Sequence, residues 1–255
     1  MKRETQNVLL ILLGGALLKI AINGDYLRYV KPSQQPWVIA GGAVMTALGV
    51  LAILGDLVTA RRAAAVAGPP ASAEHPASSD HGGGHDHHHP ARSAWLLMVP
   101  VLAVFLVAPP ALGADSVTRT EARAPQSAAV SAAVAFPPLP AGDVVPLPVS
   151  EFVSRAGYDG NGTLNGRTIS LSGFVVHTRQ GTLLARMVIS CCAADAFPVT
   201  VRLAGAAAGG FKSDAWIEVT GKVVPGTATA ANSYTPDLTL TTIRPVPTPA
   251  DPYEY

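Results

Sequence analysis

Three long apolar runs lie within the first 115 residues of this 255-residue chain, and they constrain its fold more than any other feature. The runs cover residues 8–22, 37–57 and 94–112. A helix needs roughly 17 to 25 mainly apolar residues to cross a bilayer. The second and third runs meet this length, and the first reaches it if Tyr26 and Tyr29 continue the helix at the interface. We therefore expect three transmembrane helices.

These helices are predicted to form an α-helical membrane anchor. Residues 1–60 are expected to make a transmembrane helical hairpin, and residues 94–114 a third transmembrane helix, kinked at Pro100. Small residues on the second run give that helix a side against which another can pack closely: Gly41, Gly42, Ala43, Gly49 and Gly55. A signal peptide is the alternative for the first run, but no small-x-small cleavage site follows it.

The distribution of basic residues predicts the orientation, because positively charged short loops stay in the cytoplasm. With the N-terminus and residues 61–93 inside, the inner basic residues are Lys2, Arg3, Arg61, Arg62 and Arg92, against Arg28 and Lys31 outside. We expect a multi-pass protein of the cytoplasmic membrane whose C-terminal domain lies outside. If only two spans form, that domain lies inside.

Residues 61–93 are rich in Ala, Gly, Pro and Ser and end in a cluster of histidines. This composition cannot bury enough apolar area to offset chain entropy, so we expect a disordered His-rich loop. Neutral imidazole binds Zn, Ni, Cu and Co, although a glycine-rich backbone does not fix one geometry. The loop is therefore interpreted as a labile binder of metal ions through His81, His85, His87, His88 and His89. An inert low-complexity loop is the alternative.

The rest of the chain is predicted to be a soluble, mostly β domain at 149–255, joined by a Pro/Ala-rich extended tether at 115–148. A short helix is expected at 150–156. Alternation and β-branched content predict strands at 167–176, 183–191, 197–203, 216–224 and 238–244. Gly173 and Gly221 interrupt strand patterns at positions where small closed barrels bend. We expect an OB-like five-stranded barrel, with an open β-sandwich as the alternative.

The two cysteines of the chain, Cys191 and Cys192, are adjacent at the predicted end of a strand. Neighbouring side chains of a continuing strand point to opposite faces, so one metal could bind both thiolates only if the chain turned there. With such a turn, the two cysteines, Asp195 and His177 would make a tetrahedral zinc-type set. The alternative is one cysteine in the core and one incidental.

Charge and spacing argue against several other functions. Residues 114–255 hold 10 Lys/Arg and 11 Asp/Glu, so this half lacks the basic surface of a nucleic-acid binder. The segment that begins at Asp159 has Leu164 and Ser170 where a calcium loop needs glycine and glutamate, and it is interpreted as a turn. An enzyme is not expected, because the Cys pair lacks the two intervening residues of the usual redox motif.

Three segments together resemble the YcgQ-like family of bacterial membrane proteins: LRYVKP at 27–32 followed by Pro36-Trp37, the His-rich loop, and ISCCAADAFP at 189–198. Members of that family are described as candidate subunits of a two-component permease. The resemblance implies a bacterial membrane protein with a multi-span permease as its partner.

The sequence therefore predicts an accessory subunit of a membrane permease, involved in the transport of metal or of a thiophilic species. Its predicted cofactor is zinc or another transition metal, and the lipid bilayer is a further partner. The alternative is a membrane-tethered binding or sensor module, in which the barrel recognises a protein or glycan and the Cys pair is structural.

Overall fold

The structure is a computed structural model that describes residues 3–66, 99, 102–103, 110–120, 136–205 and 209–255. The chain divides into two compact units. One contains the two N-terminal helices, and the other contains the C-terminal domain together with Gly24–Gln34, the loop between those helices. Most of the predicted His-rich loop and of the third span lies outside the described residues.

The first unit is built from two helices, α1 (Arg3–Asn23) and α2 (Gln35–Val66). Both are long and apolar enough to cross a membrane. This confirms the first two predicted apolar helices. Helix α2 continues six residues past the predicted boundary at residue 60, because the Arg and Ala residues that follow are strong helix formers.

Small residues set the approach of α1 and α2. A Cβ atom at Gly42 would lie 2.9 Å from the Gly14 carbonyl oxygen, and one at Gly49 would lie 3.0 Å from the Asn7 carbonyl oxygen. Gly41 and Gly55 have open space around them. The predicted small-residue side of α2 therefore contacts α1 through Gly42 and Gly49, a mode of packing common between membrane helices.

The C-terminal domain is a mostly β fold whose strands are β1 (Val144–Pro146), β2 (Thr168–Thr178), β3 (Gly181–Val188), β4 (Phe197–Ala204), β5 (Trp216–Val224), β6 (Asp237–Pro245) and β7 (Tyr253–Glu254). Their order in the sheet is β1-β2-β5-β6-β4-β3-β7, and an additional β2–β3 pairing closes the middle five strands into a ring. Within the ring, β4 and β6 pair in parallel and the other pairs are antiparallel. All five predicted long strands are found.

Glycines let neighbouring strands of the ring come close. The backbone of β5 is irregular between Thr220 and Gly221, where it pairs with β6. A Cβ atom at Gly221 would collide with the Thr239 carbonyl oxygen, and one at Gly173 would lie 2.5 Å from the Ala185 carbonyl oxygen. Only glycine fits such contacts.

The interior of the ring is apolar, as the alternation of β5 predicts, with Ile217 and Val219 fully buried. Helix α4 (Val149–Tyr158) also packs into this core, with Phe152 fully buried. It matches the predicted short helix at 150–156.

A second apolar cluster lies on the outer face of β2 and β3 and positions the Cys pair. Phe174 and Val176 of β2 point away from the ring interior, because they alternate with Val175. They pack with Met187 and with Ile189, which lies just before the turn that contains Cys191 and Cys192 (the Cys-containing turn).

The predicted extended tether is partly folded. Helix α3 (Ala114–Arg119) lies at its start, with Asp115 and Arg119 paired at 2.9 Å, and β1 lies near its end. The Ala114 N–H donates to the Asp214 carboxylate at 2.6 Å, which satisfies one free amide of the first helical turn. Residues 114–119 are thus helical where the sequence predicts an extended tether, whereas β1 is extended and pairs with β2.

Candidate metal site at the Cys pair

The chain leaves the sheet earlier than predicted, and this brings the two thiols together. Strand β3 ends at Val188, and a 3-10 turn covers Ala193–Asp195. The predicted strand end at residue 191 was wrong because the Asp195 carboxylate binds the backbone that would continue the strand. Its Oδ1 accepts the Ser190 N–H at 2.9 Å, and its Oδ2 accepts the Cys191 N–H at 2.8 Å. Such side-chain-to-backbone bonds compete with a strand ladder.

The turn places the Sγ atoms of Cys191 and Cys192 3.6 Å apart. Both thiols are free; Cys191 is exposed and Cys192 is half-buried. The ligand atoms of Cys191, Cys192 and Asp195 all lie within 4.8 Å of one another, so this group, termed here the dithiol site, could hold a metal ion. Thiolate and carboxylate are both zinc ligands in proteins.

The loop Gly24–Gln34 binds directly to the Cys-containing turn. Val30 and Cys192 form an antiparallel β-bridge. The Ala193 N–H donates to the Tyr29 carbonyl at 2.7 Å, and the Lys31 N–H donates to the Cys191 carbonyl at 3.4 Å. The backbone of the dithiol site is thus held from a segment about 160 residues earlier in the chain, which is the loop joining α1 and α2.

Tyr253 ties two further segments to the same region. Its hydroxyl donates to the Arg28 carbonyl at 3.0 Å and accepts the Leu112 N–H at 3.2 Å. The ring itself is buried, and this burial raises the pKa of the phenol above its ordinary value. One hydroxyl therefore links the loop between the first two apolar runs, the end of the third run, and the C-terminus.

The thiols and the carboxylate of the dithiol site shift one another's pKa. The Cys191 thiol donates to the Asp195 carboxylate, and this contact, with Cys192 beside it, raises the pKa of Cys191 to about 11. The same hydrogen bond, reinforced by the backbone N–H groups, holds the pKa of Asp195 below its usual value. A thiol with a raised pKa is a poor nucleophile, whereas a bound metal ion would replace its proton.

The structure does not bring His177 into the dithiol site. This exposed residue lies near the end of β2, where its Nδ1 lies 3.2 Å from the Thr182 hydroxyl and its Nε2 2.7 Å from the Phe211 carbonyl oxygen. The predicted four-ligand set was therefore wrong in its fourth member. The sequence alone could not exclude His177 from the ligand set, because tertiary packing decides how far the end of β2 lies from the two cysteines.

The other predicted metal ligands lie outside the described residues: His81, His85, His87, His88 and His89. The docking of the loop on the Cys pair was missed by the sequence reasoning. The one available signal was that LRYVKP and ISCCAADAFP both contribute to the same family resemblance.

Fold and site define the class of protein as an apolar helical pair joined to a ring-of-strands domain that carries a surface dithiol. Residues 156–255 match the model of the DUF1980 C-terminal domain, which describes a family of uncharacterised, YcgQ-like bacterial proteins. The matched region contains all five strands of the ring and the dithiol site. Searches of curated proteins and of solved structures gave no match.

Proposed function

We propose that this protein is the accessory subunit of a membrane permease and that it binds a metal ion or another thiophilic species outside the cytoplasm. The observation that carries the proposal is the docking of the dithiol site on Gly24–Gln34, the loop between two helices long enough to span a membrane. In this proposal, the ligand group held by the loop lies at the membrane surface, where cargo enters or leaves a permease. Two or three helices do not easily enclose a path themselves, so a multi-span partner is required.

The proposed topology has the N-terminus and the His-rich loop inside, three transmembrane helices, and the C-terminal domain outside. It is supported by the Tyr253 hydroxyl, which binds Arg28 and Leu112 together. Arg28 follows the first apolar run and Leu112 ends the third. In the proposed topology both residues lie on the same side of the membrane, so a chain that leaves through α2 crosses once more to return there.

The fold is proposed to be an OB-like barrel. In support, the ring follows the order β2-β3-β4-β6-β5 and back to β2, with a long connection between β4 and β5. OB-folds are five-stranded, partly open Greek-key barrels. Zinc or another transition metal is proposed as the ion of the dithiol site, which would hold it through two thiolates and the Asp195 carboxylate.

Co-purification tests the proposed role. The tagged full-length protein, extracted from membranes in mild detergent, is expected to bring down a multi-span permease, while an unrelated membrane protein with the same tag does not. A strain that lacks the protein should show altered cell content of a transition metal. The wild type and Ser213→Ala, at an exposed position outside the site, should restore it, and a Cys191→Ser/Cys192→Ser variant should not.

A second candidate is the membrane-tethered binding or sensor module. It is favoured by the strand order alone, because OB-like folds commonly bind ligands on one face of the barrel. Absence of a permease from the purified material, with normal metal content in the deletion strain, would favour this candidate.

A further inference from the structure

We infer that the dithiol site is an exchange site for a divalent ion with tetrahedral preference, of which zinc is the leading example, and that it leaves one coordination position open. The inference deepens the proposed function and rests on it only in treating the ion as cargo. The binding chemistry can be tested without any partner protein.

The distance between the two sulfur atoms matches a tetrahedral ion. With Zn–S bonds of about 2.3 Å, two thiolates on one tetrahedral ion lie about 3.8 Å apart. A linear two-coordinate ion with bonds of the same length needs about 4.6 Å. The observed 3.6 Å between Cys191 and Cys192 is close to the first value and about 1 Å short of the second.

The third ligand, Asp195, is already oriented by its neighbours. Each carboxylate oxygen accepts one backbone N–H, from Ser190 or Cys191, and a carboxylate oxygen keeps further lone pairs for a metal. Hydrogen bonds of this kind fix ligating carboxylates in metal sites. The bridge between Val30 and Cys192 holds the other end of the turn, so the ligand backbone is anchored from both sides.

The open position follows from the donor set and its exposure. Within the described part of the chain, the group around these thiols comprises Cys191, Cys192 and Asp195, since His177 is bonded elsewhere. Structural zinc sites are closed by four protein ligands, whereas sites that act on a ligand keep one position free. Because Cys191 and Asp195 are exposed, an incoming ligand can take the fourth position and carry the ion away. Binding forms two metal–sulfur bonds and one metal–oxygen bond to Asp195, displaces water from the hydrated ion and releases the thiol protons to solvent, with no change of oxidation state.

Co²⁺ is the probe for this test, because a tetrahedral Co²⁺–thiolate site has intense visible absorption and a sulfur charge-transfer band. The full-length protein is used in detergent under reducing conditions, in a background in which the five clustered histidines carry H81A, H85A, H87A, H88A and H89A. One equivalent of Co²⁺ should give the tetrahedral thiolate spectrum, and added azide should shift it by filling the open position.

Cys191→Ser should weaken Co²⁺ and Zn²⁺ binding by more than about 100-fold, because loss of an outer-shell partner alone costs 10- to 100-fold. Ser213→Ala, at an exposed position between β4 and β5, is the control, and it should bind like the parent. The Cys192→Ser variant, measured with Co²⁺ in the same way, should not give the tetrahedral thiolate spectrum.

Three results would overturn the inference: no cysteine-dependent spectrum, an octahedral one, or a tetrahedral spectrum that azide leaves unchanged. Circular dichroism of each variant identifies loss of fold, in which case Asp195→Asn is measured instead. A negative result here with permease co-purification intact would leave the proposed subunit role standing. The reverse pattern would leave the metal site standing without its permease.

Discussion

The two units of this protein differ in where their apolar side chains lie. In the helical unit, large apolar residues are exposed, with Trp37 75% and Leu51 64% accessible. In the described part of the C-terminal unit, the exposed large apolar residues are Val144 and Tyr255. A water-soluble surface rarely carries a continuous apolar area such as that of α1 and α2. The comparison teaches that the apolar side chains of the C-terminal unit are covered by its own fold, whereas those of two helices long and apolar enough to cross a membrane are not.

The largest expected effect comes from truncating the ring core. Phe152→Ala removes a fully buried phenyl group from the interior of the C-terminal domain. The free energy of unfolding of the domain should fall by about 3–5 kcal/mol. Urea denaturation followed by the fluorescence of Trp216, in proteins whose Trp37 and Trp95 are both replaced by Phe, measures the change. Leu51→Ala, at an exposed position of α2, is the control, and it should change the stability of the domain by less than about 0.5 kcal/mol. Equal effects would break the comparison of the two units.

The next effect concerns the C-terminus. The Glu254 carboxylate accepts the N–H groups of Val149 and Ser150 at the start of α4, and it lies 3.4 Å from the Arg186 guanidinium. Both charged side chains are about nine-tenths buried. Glu254→Gln should therefore destabilise the domain by about 2–4 kcal/mol, since it removes the nearest counter-charge of the buried Arg186. Thermal unfolding measures this, and an unchanged midpoint would contradict the role given to Glu254.

A smaller effect is expected where the helix-joining loop meets the domain. Tyr253→Phe keeps the buried ring and removes the hydroxyl that bonds Arg28 and Leu112, at a cost of about 1 kcal/mol. Amide hydrogen exchange should rise in Gly24–Gln34 and at Leu112, while β2 and β5 stay protected. Exchange that rises uniformly through the ring would show that Tyr253 acts only as a core residue.

The smallest effect is a pH dependence at the turn before β2. Burial alone would raise the pKa of Asp159, but hydrogen bonds from the Thr163 hydroxyl and N–H and from the Asn161 N–H outweigh it and lower the pKa. A lowered folded-state pKa contributes stability that is present above the unfolded value of about 3.9 and is lost as pH falls through the folded value.

Asp159→Asn should consequently destabilise the domain by no more than about 1 kcal/mol at pH 7 and by less at pH 2. Denaturation curves of the variant and the parent at both values measure the difference. A gap that widens in acid would contradict the sign worked out above. Asp143, which is exposed near the start of β1, provides the matched control as Asp143→Asn.

The strands could be predicted because their signal is local. In 216–224, apolar side chains alternate with polar ones, and this pattern predicts both a β-strand and the face of the strand that is buried. The end of β3 could not be read in this way, because it depends on Asp195 reaching back to Ser190 and Cys191. The residue types alone predicted which atoms of the dithiol site can bind a metal. They did not predict which other segments contact the site, because those contacts are tertiary. The bridge from Val30 to Cys192 is the clearest case, since no local pattern encodes it.

The most direct measurement of the central claim uses the cysteines that the protein already has. Cys191 and Cys192 are the only two, and Cys191 is exposed, so a membrane-impermeant maleimide reports the side on which the dithiol site lies. Labelling is carried out at mildly alkaline pH, because the raised pKa of Cys191 slows alkylation. The account predicts labelling of right-side-out vesicles and protection in inside-out vesicles until detergent is added. Labelling of the inside-out vesicles alone would place the domain in the cytoplasm and contradict it.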